Sequence, residues 1–151
     1  VRIFRTDAGP GGRSLHEIAK RPRRGILFAR GVRAHSVRVL HHANGANRAL
    51  ATEVAEAETI GQKLKGLMFK ASLPAEYGLL FPFDAAKKRG VHMVFVRTPI
   101  DVIWVDDREV TAVERLQPWT GYSRHRADLI IELPPGAADG VSTGDEISIE
   151  E

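Results

Sequence analysis

The sequence predicts a mainly β fold: a compact antiparallel β-sandwich or barrel-like sheet of jelly-roll type with one short helix, preceded by a disordered basic arm. Three observations predict it. From Ser36 onward, short apolar segments recur at the spacing of all-β proteins, with turn chemistry between them. Two of these segments, Gly90–Val96 and Ile100–Val105, are largely apolar at both alternating sets of positions, as central strands covered from both sides are. Residues 1–36, by contrast, gather glycine, proline and positive charge without sustaining a period of 2 or 3.6.

Val37-Arg38-Val39-Leu40 reads as the first strand, followed by a turn over Ala43–Asn47 that carries the Asn44-Gly45 hairpin signal. Residues 49–58 fit either a helix face, through Leu50, Val54 and Ala57, or an alternating strand. Thr59 is placed to cap a short helix over Gln62–Phe69, with Leu64, Leu67 and Met68 on one side. Strands are then expected at Leu79–Phe83, Gly90–Val96, Pro99–Val105 and Glu109–Leu116, with Asp106-Asp107 as a hairpin tip. A long polar loop precedes the strand Ala127–Leu133. Pro134-Pro135-Gly136 breaks the chain, and Thr143-Gly144-Asp145 turns it into the last strand, Glu146–Ile149.

Charge divides the chain at the same place. Residues 1–36 hold nine Lys/Arg against Asp7 and Glu17, a net of +7, whereas residues 37–151 hold 13 Lys/Arg and 17 Asp/Glu, a net of −4. The basic pI of about 9.5 therefore belongs to the arm, and the domain behind it is mildly acidic. Arg23-Arg24 ahead of Gly25-Ile26-Leu27-Phe28 has the outline of a twin-arginine export signal, but the apolar run is too short and no cleavage site follows. A transit peptide would carry more serine, and a nucleic-acid arm more stacking aromatics than Phe4 and Phe28. The expectation is a cytoplasmic monomer of two parts, an arm over 1–36 and a single domain over 37–151, with no membrane span and no nucleic-acid partner.

Gly66-Leu67-Met68-Phe69-Lys70-Ala71-Ser72-Leu73-Pro74, followed by Gly78-Leu79-Leu80-Phe81-Pro82-Phe83, resembles the signature of domain-of-unknown-function family 192. That signature runs roughly G-L-M-F-R-x-S-L-P and then G-M-L-F-x-F. Its next block, F-W-M-K-N-T-x-x-P-L-D, corresponds to Val91 through Asp101, and Glu132-Leu133-Pro134-Pro135-Gly136 and Gly144-Asp145 match its last two. The resemblance implies a compact β fold with a strand at 49–58 and then the helix. In the third block the family's Lys-Asn-Thr is replaced by Val94-Phe95-Val96. The family implies no established activity, so the resemblance speaks to fold more than to chemistry.

The residues that stand out are polar ones in apolar company. His92 shares a strand with Val91, Met93, Val94 and Val96, so it reads as a core histidine satisfied by a backbone carbonyl, or as a pocket residue acting as a general base. Asp101 sits in the apolar run Ile100–Val105, where a carboxylate needs a partner; Arg97, just across Thr98-Pro99, is the nearest candidate. The stretch Gln117–Arg126 gathers Trp119, Tyr122, Arg124 and His125, residue types that dominate recognition surfaces. Its bland reading is a lid folded back on the sheet. Such chemistry suits a sugar, a nucleobase or an anionic small molecule.

Other chemistries find little support. The chain has no cysteine, which removes disulfides, thiolate zinc sites and cysteine nucleophiles. His41 and His42 are adjacent and point to opposite faces of a strand, and no spacing resembles a metal, phosphate-loop or dinucleotide motif, so neither metal nor cofactor is expected. The leading expectation is a non-catalytic module that binds a small ligand or a protein partner through Arg97, Trp119, Tyr122, Arg124 and His125. The alternatives are a small-pocket enzyme using His92 and Asp101 as acid and base, and nucleic-acid contact through the arm.

Overall fold

The computed structural model describes residues 37–56 and 74–150; the arm, and with it the expected helix over 62–69, lie outside the described residues. Eight strands form one mixed sheet: β1 (Arg38–Ala43), β2 (Ala46–Ala51), β3 (Glu53–Glu56), β4 (Tyr77–His92), β5 (Ile100–Asp106), β6 (Glu109–Leu116), β7 (Tyr122–Leu133) and β8 (Glu146–Glu150). Their order is β2-β1-β8-β6-β5-β7-β4-β3.

That order forces the sheet to roll. β2 and β3 lie at opposite ends of it, yet only Thr52 separates them in the chain, so the two edges must come together. Thr52 and Glu53 both donate their N–H groups to the Glu76 carbonyl at 3.0 Å, tying the crossing point to the start of β4. Gly78 sits in the seam, where a Cβ would come within 2.7 Å of the Ala51 Cβ. The domain is therefore the barrel-like member of the expected pair of architectures. One pairing departs from the antiparallel expectation: β3 runs parallel to β4, because it returns from the far edge instead of from a hairpin.

The hairpin turns follow local chemistry. Asn44 and Gly45 both adopt positive φ, the mirror-image turn that suits the twist of paired strands. Asp107 and Arg108 do the same between β5 and β6, at a steric cost that Asn-Gly avoids.

The core lies on both sides of β5, in which only Asp106 is not buried. Ile103 and Val105 join Val39, Leu129, Ile131, Val110 and Ile147 on one side. Val102 and Trp104 join Leu79, Phe81, Met93 and Ile130 on the other. Each such side chain, fully buried, contributes roughly 1.5–3 kcal/mol. Trp104 is completely enclosed, and its indole N–H donates to the Arg89 carbonyl (3.0 Å), so the largest core side chain leaves no orphaned donor.

Two differences from the expected strands bear on their number. Leu79–Phe83 and Gly90–Val96 are one strand: β4 runs for 16 residues through Pro82 and the charged stretch after it, and ends at His92. Of residues 49–58, read as a single strand through the family resemblance, the described residues 49–56 belong to two strands, the end of β2 and β3, that break at Thr52. Among the described residues these two differences offset, and eight strands remain.

Candidate functional site

β4 and β7 pair from Leu79↔Glu132 to Pro82↔Leu129, and again from Lys87↔Ala127 to His92↔Tyr122. Between the two runs β4 spends Phe83–Ala86 where β7 spends only Asp128. Pro82, which has no N–H to give, begins this wide bulge. The bulge bends β4 away from its neighbour, and a cavity of about 320 Å³ opens beside it. Phe81, Phe83, Val91 and Ile130 give it apolar walls, while Lys88, Arg89, Arg124 and His92 bring positive or titratable groups to it.

Glu132 also lines this cavity. Its cross-strand neighbours, Leu79 on β4 and Val102 on β5, are both apolar, and the residue is only 4% exposed. Among the described residues its carboxyl has no hydrogen-bond or ion-pair partner, and burial pushes it up to about 7. Tyr77 is held above the usual phenol range by its own burial and then by the negative charge of Glu132. Arg89, another lining residue, has its Nε buried without a hydrogen-bond partner, and its guanidinium carbon lies 3.9 Å from the centre of the Phe83 ring.

His92 lines the cavity from the end of β4, but it is exposed and not a core histidine. β4 ends at that residue and the chain turns outward, leaving Val94 and Phe95 exposed as well. The segment Gly90–Val96 is therefore not a doubly covered strand, and of its departure from the family's Lys-Asn-Thr, Val94 and Phe95 fall on the surface while Val96 is buried in the core.

Asp101 is elsewhere. It is buried on the other face of β5, where Arg115, its cross-strand partner on β6, donates to both carboxylate oxygens (2.7 and 3.2 Å). The N–H groups of Gly136 and Ala138 donate to Oδ2 at 2.8 and 3.0 Å. The partner expected from sequence, Arg97, is exposed and makes no ion pair among the described residues. The reason is register: Arg115 is directly opposite Asp101, whereas Thr98 and Pro99 lead Arg97 away. Asp101 thus pins the Pro134–Ala138 turn to the sheet, and it does not line the cavity that His92 lines.

The polar stretch 117–126 is loop only in its first half, since β7 already begins at Tyr122. Trp119 and Tyr122 are exposed instead of folded back as a lid. Arg124 lines the cavity. His125 turns inward, edge-on to Trp104 at 4.8 Å, with Nε2 lying 2.5 Å from Glu114 Oε1 and 2.9 Å from Ser123 Oγ. Ser123 Oγ also donates to Glu114 Oε1 at 2.7 Å. A serine, a histidine and a carboxylate meet here, but both partners use the same ring nitrogen and the serine donates to the acid, so this is no relay that would activate a nucleophile. Burial pushes the Glu114 carboxyl up, yet the hydrogen bonds from Ser123 and His125 outweigh it and leave the group below its usual range.

His41 and His42 diverge as strand neighbours do: His41 Nε2 donates to Asp145 Oδ2 (2.7 Å), and His42 lies against Asn47 and Ser148. The hydrogen bonds from His41 and from the Ser142 N–H hold the Asp145 carboxyl below its usual range.

Glu132 is the residue that sequence reasoning passed over, having met it only inside the Glu132–Gly136 block. Its signal was there: one acidic residue in the otherwise apolar run Leu129-Ile130-Ile131-Glu132-Leu133.

The profile of domain-of-unknown-function family 192, described as an uncharacterized ACR, matches residues 39–149. The chain belongs to this family. Relatives in it include a UPF0127 protein of Thermococcus sibiricus, 34% identical over 98 residues, which are 62% of this chain and 64% of that protein. A UPF0127 protein of Pyrococcus furiosus is 34% identical over 94 residues, covering 60% and 78%. The chain thus spans a little under two thirds of the Thermococcus relative's length.

Two crystal structures share the fold. One, from Sinorhizobium meliloti, is of a protein put forward as a transcription regulator; at 22% identity and TM-score 0.62 it covers 79% of this chain and 98% of its own. The other is a protein of unknown function from Novosphingobium aromaticivorans, at 23% identity and TM-score 0.61, covering 74% and 83%. Family 192 is uncharacterised and carries no catalytic role to this chain. Among the described residues no helix is long and apolar enough to cross a membrane, and no three His, Asp or Glu side chains gather as a metal site would need.

Proposed function

We propose that the domain is a non-catalytic small-ligand-binding module whose site is the cavity beside the β4 bulge. The observation that carries this reading is Glu132, a buried carboxyl without a partner among the described residues, facing a cavity with apolar walls and three cations. A buried polar group left unpaired costs stability, and a ligand that supplies its partner recovers that cost as affinity. The chemistry fits a compact ligand with an apolar body, an anionic group for Lys88, Arg89 or Arg124, and a hydrogen-bonding group for Glu132. Small organic acids, anionic sugars and nucleotides are the classes that qualify. Support for binding over catalysis comes from Asp101, whose four hydrogen bonds lie outside the cavity and leave His92 without the acid that sequence paired it with. The cavity is complete within one chain, in keeping with a monomer.

The test is a thermal-shift panel of these three classes on the full chain. A true ligand at about a hundred times its Kd adds about 2.7 kcal/mol, which raises Tm by several degrees in a domain this size. That shift is expected to disappear in Glu132→Gln and in Arg124→Ala. A panel without a hit, or a hit indifferent to both substitutions, contradicts the reading.

A further inference from the structure

Among the described residues the exposed large hydrophobic side chains are Val94, Phe95, Trp119 and Tyr122, at 47, 53, 54 and 63%. They come from two adjoining segments, the turn after β4 and the approach to β7. Backbone hydrogen bonds lock those segments together: the Trp119 N–H donates to the carbonyls of Met93 and Val96 at 3.0 and 3.3 Å, and the Met93 N–H donates to that of Gly121 at 2.9 Å. The rings of Phe95 and Trp119 meet edge-on with centroids 5.7 Å apart.

Both aromatic residues hold left-handed backbone, with φ of 64° at Phe95 and 66° at Trp119. Bulky side chains adopt that conformation only when their surroundings impose it, and such strain collects at functional surfaces. The fold therefore spends backbone strain to hold two rings outward in a fixed pose and leaves them half exposed. Contiguous exposed apolar surface of this kind marks an interaction site.

Charge indicates what covers it. Segments 92–98 and 117–124 contain Arg97, Arg124 and His92 and no acidic residue, although residues 37–151 as a whole carry −4. Arg97 and Arg124 are exposed and make no ion pair among the described residues. Two free arginines beside two aromatics suit carboxylates next to apolar side chains. They are too few to hold a polyanion that an acidic domain repels.

We propose that this end of the barrel docks an acidic, apolar segment of a partner protein, with Phe95 and Trp119 against its apolar side chains and Arg97 and Arg124 on its carboxylates.

The test is selection of a random displayed peptide library on the full chain, followed by affinity measurements with the best peptide made synthetically. Selected peptides are expected to combine Asp or Glu with Leu, Phe or Trp. Affinity is expected to fall about tenfold or more in Trp119→Ala, and again in Arg97→Glu, where the salt dependence also flattens. Phe95→Asn is expected to weaken binding while leaving Tm unchanged or raised, since asparagine accepts positive φ; that separates docking from folding. Arg124 is left intact because it also lines the cavity. No selected peptide, peptides without acidic residues, or affinities unmoved by these substitutions would overturn the proposal. So would dimerisation that Trp119→Ala abolishes, which assigns the patch to a second copy, or oligothymidylate binding that Arg97→Glu abolishes, which assigns it to nucleic acid.

Discussion

Two buried carboxyl groups on neighbouring strands sit in contrasting surroundings. Asp101 accepts four hydrogen bonds and holds a turn, whereas Glu132 accepts none from the described residues and faces a cavity. Asp101→Ala strands the Gly136 and Ala138 N–H groups in or near the core. At the usual cost of an unsatisfied buried donor, the variant should lose about 2–4 kcal/mol by chemical denaturation, and a loss below about 1 kcal/mol would show the lock to be dispensable. That Asp101 needs a partner was legible from its apolar run; which arginine supplies it was not. The choice depends on strand register, and Arg115 lies 14 positions away in sequence.

At the scale of elements, turns were legible where their chemistry is local. Asn44-Gly45 and Gly144-Asp145 each declare a reversal within two residues, the expected Asp106-Asp107 tip falls one residue later at Asp107-Arg108, and β6 follows its expected bounds. The length of β4 was not legible, because the polar stretch 84–89 interrupts the apolar pattern between the two expected strands. A bulged strand tolerates that stretch, since among the described residues β4 pairs beyond Leu80 only with β7. The first half of β7 was hidden for a related reason: its outward face is solvated and its inward face carries Ser123 and His125, so no apolar alternation marks it. Gly121 is the joint between these pieces, where a Cβ would lie 2.6 Å from the Gln117 carbonyl oxygen and 2.8 Å from the Met93 side chain. Gly121→Ala is expected to cost roughly 2 kcal/mol, read as a lowered Tm, and to loosen the pose of Trp119. An alanine variant as stable as the parent would show that the two loops are not locked.

For the whole molecule, the eight-stranded β character could be read from the sequence, but the rolling of the sheet could not. Closure depends on two edge strands separated only by Thr52 and on a close approach at Gly78, and neither leaves a periodic signal. The rolled sheet also makes the candidate site, because it buries Glu132 between β4 and β5 while the β4 bulge opens a cavity beside it. Folding therefore carries a cost that depends on pH. Burial raises the Glu132 carboxyl from 4.5 to about 7, so between those values the folded chain holds a proton that the unfolded chain has released. Stability from this group is fully present below about 4.5 and is lost as pH rises through about 7, for a total of roughly 3 kcal/mol. Lys88, Arg89, His92 and Arg124 also line the cavity and are retained in a Glu132→Gln variant, while Tyr77, held above the usual phenol range, stays protonated throughout the pH range measured. The decisive measurement is unfolding free energy from pH 4.5 to 8.5 for the wild type and Glu132→Gln. The wild type should lose roughly 3 kcal/mol relative to the variant across that range. Parallel curves would mean that Glu132 is hydrated or paired, and the cavity would then lose the group on which its assignment rests.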